Sequence, residues 1–113
     1  MPKQDPCYQI KQTLKLVPAG HVVGYGQLAD YAGLPGRARL VGRCLRQAGE
    51  PDLPWHRVVR ANGQIAFAPG SNAAEEQRAR LTAEGVVVMH YRVAMSRFAW
   101  QPRLDELLGV LRY

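Results

Sequence analysis

The stretch YGQLADYAGLPGRARLVGRCLRQ, Tyr25 to Gln47, decides the fold. Its first part, Tyr25 to Tyr31, reads as a short helix with Leu28 and Ala32 on one side. Gly33-Leu34-Pro35-Gly36 breaks it, since two glycines and a proline in four residues cannot extend a helical ladder. From Arg37 to Gln47, Leu40, Val41, Cys44 and Leu45 form an apolar stripe, while Arg37, Arg39, Arg43 and Arg46 point elsewhere. Two short helices joined by a glycine-containing turn, the second one basic, predict a helix-turn-helix over about 25–47. An ordinary helical hairpin with a solvated arginine face fits the same pattern.

Outward from this core, Ile10, Leu14 and Val17 recur at helical spacing from Cys7 to Val17, and Pro18-Ala19-Gly20 closes that first helix. On the other side, Leu53 to Val59 and Gln64 to Phe67 are short apolar pieces around Ala61-Asn62-Gly63, predicting extended chain or a small hairpin. Asn72 to Glu84 is a polar helix with Gly85 as its C-cap, and Val86 to Met89 reads as a buried extended segment. Beyond Pro102, Leu104, Leu107, Leu108 and Leu111 predict a last helix docked on the domain. The expected fold class is mostly α with short extended segments, one domain over residues 1–113, because 113 residues at 47% hydrophobic bury one core and do not split convincingly into two.

Fifteen Lys and Arg against nine Asp and Glu give a net +6, which favours a polyanionic partner through counterion release from phosphates. A solvated basic surface without a partner is the bland alternative. A membrane is not expected, because no basic amphipathic stretch with a continuous apolar face and no run of about 18 apolar residues stands out. The N-terminal segment lacks a signal-peptide core, so a soluble, intracellular protein is expected. Cys7 and Cys44 lie far apart in no Cys-x-x-Cys pair, which predicts neither a disulfide framework nor a structural zinc site. His21, His56 and His90 are scattered, and no metal or cofactor is called for.

A more specific reading comes from Pro54-Trp55-His56-Arg57-Val58-Val59, with Gly63 following and Leu81-Thr82-Ala83-Glu84-Gly85 further on. This resembles the DNA-binding domain of the O6-alkylguanine-DNA alkyltransferases, whose hallmark reads Pro-Cys-His-Arg-Val. With Trp in the Cys position it is most similar to the alkyltransferase-like proteins, which bind alkylated guanine without repairing it. Val17-Pro18-Ala19-Gly20-His21-Val22, Tyr25-Gly26-Gln27-Leu28-Ala29 and Ala38-Arg39-Leu40-Val41-Gly42 agree in order and spacing, so the likeness spreads over about Val17 to Val88. The pocket segment would span about 53–71.

The resemblance implies that Tyr25 helps rotate the target nucleotide and that Arg39 enters the stack to fill the gap, recovering part of the cost of unstacking. Arg37, Gly42 and Arg43 join Tyr25 and Arg39 as expected DNA-binding residues, and Pro54, Trp55, His56, Val59 and Tyr25 as the expected lesion pocket. In the repair enzymes a Cys-His-Glu relay activates the thiol. His56 and Glu84 match two of its members, but an indole at Trp55 has no ionisable group near neutral pH, so no catalytic residue and no alkyl transfer are expected. Trp55 either walls the pocket or merely fills a dead site. His56 is then a structural remnant bonded inside the fold, and Arg57 a buried ion pair.

Two departures add to this. Where repair enzymes carry Asn before the hallmark, the loop reads Gln47-Ala48-Gly49-Glu50-Pro51-Asp52; where they carry Tyr-Ser/Thr-Gly-Gly after it, Ala66-Phe67-Ala68-Pro69-Gly70-Ser71 offers little polar matter. Phe67 is either core or pocket wall. The implied partners are duplex DNA containing O6-alkylguanine and proteins of nucleotide excision repair. The implied form is a monomer, cytoplasmic, nucleoid-associated in a bacterium or nuclear in a eukaryote. Two readings compete: a helix-turn-helix transcription factor reading sequence through Arg37, Arg43 and Arg46, and an active transferase with Cys44 as acceptor.

Overall fold

Asp5 opens the first helix by accepting the Cys7 amide, and Pro6, whose fixed φ suits the first turn, leads α1 (Pro6–Leu14). The computed structural model describes residues 5–47 and 49–110. After α1 come β1 (Val23–Gly24), α2 (Tyr25–Tyr31), α3 (Ala38–Gln47), a 3-10 turn (Trp55–Arg57), β2 (Val58–Val59), α4 (Asn72–Ala83), β3 (Val88–Met89), β4 (Arg92–Val93), α5 (Met95–Phe98) and α6 (Leu104–Val110). The fold is mostly helical, as expected, and α2 and α3 fall on the predicted helix-turn-helix. Ile10, Leu14, Leu28, Ala29, Val41 and Cys44 pack the three N-terminal helices into one apolar cluster.

The strands divide this cluster from a second one. Val23 pairs with Val58 and Gly24 with Val59 in parallel. Side chains alternate along a strand, so Val23 and Val58 join the helical cluster, whereas Val22 and Val59 turn to Leu81, Val86, Val93 and Phe98. Trp100 continues this small sheet by donating its amide to the Val22 carbonyl. At the 60–64 turn, Gly63 has φ +91°, and a Cβ there would lie 2.0 Å from the Val93 carbonyl oxygen, so only glycine lets this turn close on β4.

The structure corrects four expectations. Cys7 and Cys44 form a disulfide, because α1 and α3 pack side by side and bring the two sulfurs together across 37 residues. Val59 is fully buried in the second cluster, so strand pairing removes it from any pocket wall. The segment after α4 is not buried throughout: Val86 is buried, while Val87 and Met89 are exposed, since a hairpin of β3 and β4 shows alternate residues to water. In α6, Leu107 docks on the helical cluster, but Leu104 and Leu108 remain exposed. Leu111 and Ala48 lie outside the described residues. No helix among the described residues is long and apolar enough to cross a membrane.

Candidate nucleic-acid interface and base pocket

Gly24 caps α2 through a bond from its amide to Gln27 Oε1, which sets Tyr25 as the first helical residue, half-buried between two hollows. One hollow, of about 640 Å3, is lined by Tyr25, Ala38, Gly42 and Ala66 together with four arginines, Arg39, Arg43, Arg46 and Arg60. Three of these arginines project from α3 and the fourth follows β2. No acidic residue among the described residues lines it. The second hollow, of about 480 Å3, is walled by Tyr25, Leu45, Trp55, Ala66, Phe67 and Ala73, with Gly42, Arg46 and Glu76. Tyr25, Gly42, Arg46 and Ala66 belong to both, so the basic hollow opens directly onto an aromatic chamber. Burial pushes the Tyr25 phenol up, and the nearby charges of Arg46 and Arg60 pull it back in part.

Trp55 is held from several sides. Phe67 meets its ring edge-on at 6.0 Å between centroids, His56 lies edge-on at 6.3 Å, and the Arg80 guanidinium sits 5.5 Å from the ring centroid. Arg80 is itself paired with Glu76 at 2.8 Å. The loop residue Phe67, which sequence left open between core and wall, is therefore a wall, and it stays partly exposed.

Beneath Trp55 the His56 ring is buried, and its Nε2 lies 2.7 Å from Glu84 Oε2. Burial is the largest influence on His56 and pushes its pKa below the ordinary value, despite the carboxylate. The ring is thus neutral at pH 7, with Nε2 donating to Glu84 and Nδ1 unprotonated. Glu84 also takes bonds from Arg57 Nε and Nη2 and from the Gly20 amide. Burial alone would raise its carboxyl, but these bonds outweigh it and hold the group down to about 2. Gly85, with φ +86°, places Glu84 by closing α4: its amide reaches the Thr82 carbonyl and that of Val86 reaches Leu81. Arg57 also donates to the Val17 carbonyl at 2.8 Å, so the expected ion pair is present, half-buried rather than buried, and ties three separate segments.

Among the other predicted site residues, half-buried Pro54, just before the 3-10 turn, and buried His56 line neither hollow, and Arg37 is exposed ahead of α3, also outside both. Sequence reasoning did not single out Arg60, Glu76, Gln77 or Arg80. Gln77, though polar, is buried and donates from Nε2 to the carbonyls of His56 and Val58, each at 2.9 Å, which anchors the hallmark segment to α4. Its place one turn before Leu81 on α4 was the only signal.

A family model of the 6-O-methylguanine DNA methyltransferase DNA-binding domain matches residues 6–86. The chain belongs to this family. Within it, the DNA base-flipping protein of Vibrio parahaemolyticus is 36% identical over 96 residues, covering 83% of this chain and 94% of that one. Alkyltransferase-like protein 1 of Schizosaccharomyces pombe is 34% identical over 92 residues, covering 76% and 85%. The crystal structure of S. pombe Atl1 with damaged DNA containing O6-carboxymethylguanine superposes with a TM-score of 0.80 at 30% identity, over 90% of this chain and all of that one. The Mycobacterium tuberculosis OGT in complex with DNA aligns with a TM-score of 0.64 at 30% identity, over 74% of this chain and 51% of the enzyme.

Between Pro54 and His56 this chain carries a side chain without a thiol, that of Trp55. Cys44, the other candidate acceptor, is bonded to Cys7 and carries no free thiol.

Proposed function

We propose that the chain binds duplex DNA containing O6-alkylguanine, rotates the alkylated nucleotide past Tyr25 into the Trp55–Phe67 chamber, and holds it there without alkyl transfer. The observation that carries this reading is the shared wall: a hollow lined by four arginines opens at Tyr25 onto a chamber built of flat apolar side chains. Phosphates suit the first and a base the second. Exposed Arg39, on the first turn of α3, takes the place of the departed nucleotide in the stack, while Arg37 and Arg43 meet phosphates and Gly42 lets the backbone approach.

The retained His56–Glu84 pair leaves a base without a nucleophile to activate. Trp55 supplies the contact area that holds the lesion, by dispersion and exclusion of water. A protein that binds but does not repair must pass the lesion on, and nucleotide excision repair proteins are the partners we assign to that step. The chain acts as a monomeric, single-domain module wherever the DNA resides.

The test is a titration of otherwise identical duplexes carrying guanine or O6-methylguanine, with 2-aminopurine beside the target base to report unstacking. Tighter binding of the lesion duplex with a rise in fluorescence is expected. Affinity that follows flanking sequence and ignores the lesion would replace this reading with that of a transcription factor.

A further inference from the structure

We propose that the Glu76–Arg80 pair on α4 selects adducts by charge, so that neutral or amine-bearing O6 substituents enter the chamber in preference to those ending in a carboxylate. This rests on the reading of the Trp55–Phe67 chamber as the adduct pocket. The walls there are apolar, and a charged group that enters loses water on several sides and feels the nearest fixed charges. Two lining residues carry charge, Arg46 and Glu76. Arg46 also lines the basic hollow, where a DNA phosphate bound as proposed above would compete for its guanidinium. Glu76 lines the chamber and not the basic hollow.

Arg80, one turn further along α4, pairs with Glu76 at 2.8 Å and lays its guanidinium 5.5 Å from the Trp55 ring centroid, but it is not among the chamber's lining residues. Of the pair, Glu76 borders the chamber, whereas Arg80 lies behind it against the Trp55 ring, so an adduct comes nearer the carboxylate than the guanidinium. Among the described residues that line the chamber, Glu76 is the only acidic one. A substituent ending in a carboxylate meets a like charge; an alkyl or protonated-amine end does not. The S. pombe relative was crystallised with O6-carboxymethylguanine, the very class that this pair disfavours.

The experiment measures the ratio of Kd for O6-methylguanine and O6-carboxymethylguanine in one duplex, at one salt concentration, for the wild type, Glu76→Gln and Arg80→Gln. Glu76→Gln removes the repelling charge and frees Arg80, so the ratio should move toward the carboxymethyl adduct by about threefold to fivefold, the scale of a half-exposed charge pair. Arg80→Gln leaves the carboxylate uncompensated and should move the ratio the other way. Loss of the Arg80 stack on Trp55 weakens both adducts and cancels in the ratio. Opposite shifts support the inference. A ratio that stays fixed, or moves in the same direction in both variants, overturns it while the pocket assignment stands; a wild type that binds neither adduct more tightly than guanine overturns the pocket assignment and this inference together.

Discussion

His56 Nε2 and Glu84 Oε2 stand 2.7 Å apart, with the Trp55 ring edge-on to the imidazole, so the pair has an indole and not a thiol beside it. Incubation with O6-methylguanine DNA should leave protein and DNA covalently unchanged, because no atom of Trp55 can attack an alkyl carbon in line. Intact-mass spectrometry checks this, and a methyl increment on the protein would refute it. Trp55→Cys places a thiol beside the pair but is expected to show little turnover, since the 66–71 loop has few groups to hold the guanine.

Arg39→Ala and Arg43→Ala should separate two kinds of contact, although both arginines line the same hollow. Arg43→Ala should weaken normal and damaged duplexes about equally, with a reduced salt slope, as a phosphate contact does. Arg39→Ala should cost more on the lesion duplex, by about 1 to 3 kcal/mol, since a flipped nucleotide leaves a hole to fill. Wild type and Arg39→Ala titrated against each duplex at fixed salt, four titrations, decide the Arg39 case, and equal losses would reduce Arg39 to an electrostatic contact; a salt series with Arg43→Ala decides the other.

Glu84 makes acid sensitivity predictable. Its carboxyl titrates near 2 in the folded protein against an ordinary 4.5, so the stability it contributes is complete above about pH 4.5 and is lost as pH falls toward 2. His56 has the same sign: burial lowers its pKa below 6.5, and stability declines as pH drops below that value and the unfolded chain takes up the proton more readily. Glu84→Gln should therefore lower Tm strongly at pH 7 and much less at pH 3. Equal losses at both pH values would show that the carboxylate contributes shape rather than charge.

The Cys7–Cys44 disulfide closes a 37-residue separation between α1 and the arginine-bearing α3. Constraining the unfolded chain over such a loop contributes about 2–4 kcal/mol. Thermal melts with and without reductant should differ by several degrees, and Cys7→Ser should remove the difference. An unchanged melting point on reduction would contradict this.

Gly63→Ala should be among the most damaging single changes in the turn. The added Cβ meets the Val93 carbonyl oxygen, and φ +91° is strained for alanine, so a loss of more than about 1 kcal/mol is expected in urea denaturation. Asn62→Ala, beside it on an exposed turn, should cost much less.

What the sequence determined by itself is everything set by neighbours within one or two turns. The bounds of α2 and α3, the polar α4 closed at Gly85, and the Pro54 to Val59 string could be read because helical periodicity, breaking residues and a contiguous motif are local properties. Tertiary structure alone decided the rest. Cys7 met Cys44 because α1 packs on α3; Glu84 bonded the amide of Gly20, 64 residues away; Val59 went to the core because it pairs with Gly24; and Phe67, Glu76, Arg60 and Arg80 reached the site from a loop, α4 and the end of β2. Such meetings depend on the path of the whole chain and on which apolar faces find each other, and no spacing in a linear sequence carries that information.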